Sequence, residues 1–366
     1  HPNYIIKALM VPDDPFYHSR GSWGQNYDDL WPLKQDKINV EGVWDYTRGE
    51  GIIVAVVDTG VDYNHEDLRE NIWINEDEIP NNGIDDDENG YIDDVKGWDF
   101  VKWEDGVEDN DPLDENGHGT HVAGIIAGKG NNKGIIGIAP ESKIMIVKAL
   151  NKEGRGVVED FIRAILYAVD NGAKVINNSW GLSTSQYSIP ALEEVIDYAY
   201  ENNRVMVVSA GNQNNDVSLY TPANNPKVIT VSALTQRDEK ASFSNWGYLI
   251  DVGAPGGGYR EDLPEGQNGE FNILSTFPIY PVYFGKNNSH LKVANGYWRL
   301  AGTSMSAPYV SGLSALILSY NKFQYGRELT PEQVKQIIKT SADPIRDPLG
   351  VGEDFGSPNQ FVGTGR

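Results

Sequence analysis

From residue 52 onward, short runs of Val and Ile alternate with segments of helical period. The apolar runs are 52–57, 144–150, 175–178, 205–209 and 228–233. They mostly lack polar alternation, so each is predicted to be a strand buried on both faces. Between them, 118–128 places Val122, Ile125 and Ile126 on one helical face, and 157–171 does the same with Phe161, Ile165 and Ala168. Residues 191–202 carry Val195 and Tyr198, and 307–320 carry Val310, Leu313, Leu316 and Ile317. Thr330-Pro331-Glu332-Gln333 has the chemistry of a helix start: a capping Thr, Pro in the first turn and Gln three residues after the cap. This alternation predicts an α/β fold, a three-layer α/β/α arrangement with a mostly parallel central sheet. Residues 1–50 read as irregular. Two stretches break the rhythm, the acidic, turn-rich 75–111 and the Gly, Pro and Tyr-rich 256–297, and both read as surface insertions. No repeat and no linker divides the chain.

Composition narrows the choice of partners. The net charge is -23, with no long run of Lys or Arg, which argues against nucleic acid or an anionic membrane surface. No stretch approaches ~18 consecutive apolar residues, the length that spans a bilayer. The absence of cysteine excludes disulfides and thiol chemistry. Thirty-nine glycines point to many tight turns and close backbone approaches.

Three local patterns carry candidate chemistry. Val56-Val57-Asp58-Thr59-Gly60 ends a buried strand on a carboxylate. Asn116-Gly117-His118-Gly119-Thr120-His121 opens a helix with an imidazole. Ala301-Gly302-Thr303-Ser304-Met305-Ser306-Ala307-Pro308 sets a serine at the start of an apolar helix. In a parallel sheet, strand ends and helix starts converge on one edge. A serine hydroxyl needs an imidazole to remove its proton, and the imidazole needs a carboxylate to fix its tautomer. Each piece has other readings. Asp-Thr-Gly also occurs in aspartic proteases, where a single copy would require a homodimer. His118 and His121 are spaced as a metal pair on one helix face, but no acidic third ligand stands in the motif. The Gly-x-Ser-x-Gly elbow of serine esterases is absent around Ser304.

Residues 84–94 have the rhythm of a calcium loop. Asp85, Asp87 and Asn89 alternate, Gly90 supplies a sharp turn, and Tyr91 can offer its carbonyl. The twelfth position is Lys96, so the closing carboxylate is expected from Asp93 or Asp94.

Together, in the order Asp, His, Ser, the three motifs resemble the subtilisin-like serine proteases, and more closely their thermitase-like branch. The resemblance spans roughly 12–365 apart from the insertions. It implies an endopeptidase with Ser304 as nucleophile, His118 as general base and Asp58 as its orienting carboxylate. His121 becomes a hydrogen-bonded core neighbour. The segment 207–212 matches the oxyanion-hole motif, with Asn212 as side-chain donor beside the Ser304 N–H. Substrate is expected as an extra strand between Gly154-Arg155-Gly156 and Ser179-Trp180-Gly181. The P1 pocket is expected between Ser179–Gly181 and Ser209, Ala210 and Gly211, with Tyr220 near its base and an apolar P1 preference. Trp180 is bulkier than the aliphatic residue common there.

The resemblance also implies a second calcium site, from Asp14, Asp67, Asn131 and the carbonyls of Lys129, Lys133 and Ile135. It implies protein and peptide substrates, a propeptide acting as inhibitor and folding aid, a monomer, and secretion. Pro2-Asn3-Tyr4-Ile5 resembles the segment that closes an inhibitory propeptide, so 1–11 are expected as a propeptide remnant or N-terminal arm and 12–366 as the catalytic domain. Gly363-Thr364-Gly365-Arg366 falls where relatives continue into a final strand–helix segment. The contrasting expectation is a calcium-stabilised binding protein with an inactive protease fold.

Overall fold

The structure is a computed structural model that describes residues 11–103, 106–184, 189–258 and 273–344. The expectations for residues 1–10 and for the C-terminal motif at 363–366 fall outside these residues, as do residues 259–272 of the second insertion.

The chain order begins with a short helix α1 (Pro15–His18), then strands β1 (Ile53–Asp58) and β2 (Gly97–Asp99), helix α2 (His118–Ala127) and β3 (Lys143–Lys148). Helix α3 (Val158–Asp170), β4 (Val175–Asn178), β5 (Leu182–Ser183), α4 (Pro190–Glu201), β6 (Val205–Ser209) and β7 (Tyr220–Thr221) follow. The last elements are β8 (Ile229–Leu234), β9 (Val252–Pro255), β10 (Ile273–Thr276), β11 (Lys292–Ala294), β12 (Tyr297–Leu300), α5 (Thr303–Tyr325) and α6 (Pro331–Ser341). Seven strands form one sheet in the order β2-β3-β1-β4-β6-β8-β9, and every neighbouring pair is parallel.

The unbroken Val/Ile runs have a simple physical meaning here. Successive side chains of a strand point to opposite faces, and both faces are covered. Val54, Val56, Ile144, Ile146, Val205 and Val207 pack with α2 and α5. Ala55, Val57, Met145, Val147, Met206 and Val208 pack with α3 and α4. The irregular N-terminal region belongs to the first of these cores, into which it buries Tyr17, Trp31, Leu33 and Trp44.

Four features differ from the sequence expectation. Gly97–Asp99, inside the acidic stretch, pairs with β3 as the edge strand; three residues are too few to show a period. Strand β9 carries Gly253 and Pro255, which disguised it. The described part of the second insertion holds β10 and β11 and runs into β12; β10 and β12 pair antiparallel, and β11 pairs with β12. This three-stranded sheet packs on α2, where Ser275 Oγ and Thr276 Oγ1 donate to the carbonyls of His121 and Thr120, each at 2.7 Å. Helix α5 begins at Thr303, four residues before the expected segment 307–320, so Ser304 lies in its first turn.

Candidate active site

Strand β1 sits where the sheet order turns, with β3 on one side and β4 on the other. The crevice beyond such a strand is where open α/β sheets bind ligands. Asp58 is its last residue and is fully buried. Asp58 Oδ1 accepts from the Thr59 N–H at 2.8 Å and from His118 Nδ1 at 2.7 Å. The Nδ1–H bond fixes the tautomer that leaves Nε2 as a base. Burial opposes a charged imidazole, but the Asp58 carboxylate, through its charge and its hydrogen bond, and then Asp114 hold the His118 pKa above its ordinary value. The His118 side chain keeps 26% of its surface exposed, so it reaches solvent while its partner does not.

The position of His118 comes from how α2 starts. Gly117, at φ +115°, precedes it. The first free N–H groups of a helix need acceptors, and three side chains provide them. Asn116 Oδ1 accepts from His118 N at 3.2 Å, Thr59 Oγ1 from Gly119 N at 2.9 Å, and Asp114 Oδ2 from Thr120 N at 2.9 Å. Asp114 Oδ1 also accepts from Thr59 Oγ1 at 2.9 Å, tying this cap to the residue after Asp58. Sequence reasoning missed Asp114 and Thr59; an Asp three residues before the Gly preceding a helix was the available signal.

Ser304 Oγ donates to the Ser179 carbonyl at 3.0 Å, and Ser179 Oγ donates to the Ser304 carbonyl at 2.9 Å. The second bond exists because Pro308, four residues on, has no N–H to claim that carbonyl. Asn212, exposed just after β6, accepts through Oδ1 from Thr303 N and Thr303 Oγ1, both at 2.9 Å. That contact fixes the amide plane and directs its NH2 away from Thr303.

Two cavities flank these residues. One, about 290 Å³, is lined by Ser179, Trp180, Gly181, Ser209, Ala210, Gly211, Asn212, Gln213, Tyr220 and Ser304, with Ser183 and Ala223 as residues not anticipated. The β5–β7 pairing, Ser183 opposite Tyr220, carries Tyr220 there. The other is a groove of about 800 Å³ that joins His118 and Asn116 to Gly154, Arg155, Gly156, Phe161, Trp180 and Gly181. Trp180 borders both and stacks on Phe161 with centroids 3.8 Å apart. The Arg155 backbone is turned inward, its N–H bonded to Asn151 Oδ1 at 3.0 Å and its carbonyl accepting from Asn151 N at 2.8 Å, while its side chain is exposed.

The sequence profile of the Subtilase family matches residues 49–365. The chain belongs to the subtilase family. This subtilase is 35% identical to the thermophilic serine proteinase of Bacillus sp. (strain AK1), over 94% of this chain and 67% of the relative. It is 32% identical to thermitase from Thermoactinomyces vulgaris, over 92% of each chain. Among solved structures, a protease from Pseudoalteromonas arctica superposes with a TM-score of 0.74 at 27% identity, covering 97% of this chain and 96% of that one. The chain is therefore a serine endopeptidase of the thermitase-like branch.

His121 in this subtilase is a core residue. Its Nε2 lies 3.1 Å from the Ile273 carbonyl and 3.2 Å from that of Trp298, and burial pushes its pKa down to about 3. It ties α2 to the second sheet.

The expected cation ligands fall into two groups. In the first, Asp14 Oδ2 and Asp67 Oδ1 are buried without a hydrogen-bond partner among the described residues. Asp14 Oδ1 accepts from Asn131 N at 3.1 Å and Asp67 Oδ2 from Ile135 N at 3.0 Å, while Lys129 N donates to the Asp67 carbonyl at 2.8 Å. Asn131 Oδ1 accepts from Lys133 N at 2.9 Å. Desolvation pushes the Asp67 carboxyl up to about 7 and raises Asp14 as well. Two buried, unpartnered carboxylate oxygens fit a hard cation.

In the second cluster, Glu78, Asp87 and Asp94 bring carboxylate oxygens within 4.8 Å of one another. Glu78 was not anticipated, because it stands outside the alternating loop. The other expected ligands make contacts within and around the loop. Asp85 accepts from Asn89 N and Gly90 N at 3.0 and 2.8 Å, which shapes the turn. Asp93 accepts from Asn82 N and Gly83 N, each at 3.0 Å, and so is turned to another loop. Asn89 Nδ2 donates to Asp87 and Asp94, while the Tyr91 ring packs on Trp98, Phe100 and Tyr167. Among the described residues no helix is long and apolar enough to cross a membrane.

Proposed function

We propose that this subtilase hydrolyses peptide bonds through an acyl-enzyme formed on Ser304, and that it is a secreted, calcium-stabilised monomer made with an inhibitory propeptide. The 2.7 Å bond from His118 Nδ1 to the buried Asp58 carries the reading, with Ser304 in the cavity that shares Ser179, Trp180 and Gly181 with the groove of His118. His118 Nε2 takes the Ser304 proton as Oγ attacks the scissile carbonyl. The hydroxyl first leaves its bond to the Ser179 carbonyl, which is a weak neutral contact. The tetrahedral oxyanion is held by the Asn212 amide and the Ser304 N–H. His118 then protonates the leaving amine, and water releases the acyl group by the same steps in reverse. The substrate strand lies between Gly154–Gly156 and Ser179–Gly181, and protein chains and peptides are the substrates.

Asp14, Asp67, Asn131 and the carbonyls of Lys129, Lys133 and Ile135 would hold one calcium, and Glu78, Asp87 and Asp94 a second. Bound calcium supplies charge compensation for these carboxylates. The first site ties the N-terminal arm to the catalytic domain.

The experiment that tests the reading compares wild type with Asn212→Ala. The expected loss is about 2.7–4 kcal/mol of transition-state stabilisation, the size found when such a donor is removed from a subtilisin. It should fall on kcat with KM nearly constant. A raised KM with kcat intact would remove Asn212 from the reaction.

The cavity volume and Tyr220 at its wall favour medium-sized apolar P1 side chains. In a P1-varied peptide library, Tyr220→Gly should shift preference toward larger aromatic residues. Identical profiles for the two enzymes would refute this role.

A further inference from the structure

We infer that the aromatic loop between β10 and β11 is a wall of the substrate groove, and that Phe284 selects the substrate side chain that precedes P1. This rests on the reading of Ser304 as nucleophile and of the cavity beside it as the P1 pocket.

The loop is clamped to the segment that delivers His118. Tyr280 Oη donates to the Asp114 carbonyl and Tyr283 N to the Glu115 carbonyl, each at 2.9 Å. Ile279 N donates to Asp62 Oδ2 at 3.2 Å. The Phe277 ring lies over Gly117, where any Cβ would collide with it. Phe277 in turn stacks on Trp298 with centroids 4.2 Å apart, and with Val282 they form a small core of their own. Phe284 packs at the edge of that core and stays half-buried. It also lines the large groove beside His118, Asn116 and Leu150.

The geometry of an extended peptide gives this position a meaning. Successive side chains of a strand point to opposite sides. With the P1 side chain in the smaller cavity beside Ser304, the preceding residue, P2, points away from it, toward His118. The groove lined by His118 is also lined by Phe284 and Leu150, two apolar side chains, and by the polar Asn116. An apolar P2 side chain removes both surfaces from water, whereas glycine leaves them wet and a carboxylate is desolvated without a partner.

The test uses the full chain and peptides that share one P1 residue and carry Leu, Gly or Asp at P2. Wild type should prefer Leu, and Phe284→Ala should reduce the Leu-to-Gly ratio of kcat/KM by about tenfold, mainly through KM. Phe284→Leu should restore most of the ratio. Tyr280→Phe removes only the hydroxyl that positions the loop, and should lower the ratio in the same direction by a smaller factor. Melting curves report whether each variant is folded. A Leu-to-Gly ratio that moves by less than about twofold in folded Phe284→Ala overturns the proposal. If that variant does not fold, an unmoved ratio in Tyr280→Phe overturns it. Labelling of wild type by a fluorophosphonate separates the two levels: no adduct on Ser304 means the underlying reading has failed, whereas a labelled Ser304 with an unmoved ratio means that only the role of Phe284 has.

Discussion

Ser304→Ala should lower proteolysis by about a millionfold, the size found for the equivalent replacement in a subtilisin. His118→Ala should cost a similar amount, and the double variant little more, because a nucleophile and its base act as one unit. The fold should survive. Among the described residues Ser304 Oγ makes one neutral bond, to the Ser179 carbonyl, and its loss costs about 1 kcal/mol. A melting curve shifted by no more than a few degrees, with activity gone, would therefore place the defect in the chemistry. Asp58→Asn should reduce kcat by about 10⁴-fold by favouring the wrong imidazole tautomer, as in another serine protease. The pH profile carries the same information. His118 must be neutral to act as a base, so activity falls as the pH drops through its pKa. Because Asp58 raises that pKa, the acid limb of kcat/KM should lie above the ordinary histidine value of about 6.5. Undiminished proteolysis by purified Ser304→Ala would defeat the whole reading.

Calcium removal should have the second large effect, on stability. A ligand that binds only the folded state stabilises it by about 2.7 kcal/mol per site at a hundredfold excess over Kd. Excess EDTA should therefore lower Tm and speed self-digestion, and restored calcium should reverse both. Asp67→Asn should remove part of this dependence through the first cluster, where Asp14 Oδ2 and Asp67 Oδ1 have no hydrogen-bond partner among the described residues. Glu78→Gln should remove a separate part through the second. Tyr297 Oη donates to Asp67 Oδ2 at 2.9 Å, so loosening the first site should also be felt in the second sheet. A melting curve identical with and without EDTA would count against both sites.

The sheet was legible in the sequence because burial on two faces writes continuous Val and Ile runs, as in Ile53–Asp58 and Val205–Ser209. The sites of Asp58, His118 and Ser304 were legible because each sits at an element boundary marked by glycine. What escaped notice lacks a local signature. Glu78 joins Asp87 and Asp94 only after a loop folds back. Strand β9 is interrupted by glycine and proline. Phe284 lies far from His118 in sequence and meets the groove only through contacts that no periodicity encodes.

The two helices that begin at this site differ in how their ends are closed. The first turn of α2 is met by a buried carboxylate, Asp114, whereas that of α5 is met by a neutral amide oxygen, Asn212 Oδ1. A carboxylate offsets more of the positive field at a helix end than a neutral amide oxygen does. Burial raises the Asp114 pKa, so the contrast between the two ends depends on that carboxyl keeping its charge, which the donors from Thr59, Asn116, Gly117 and Thr120 favour.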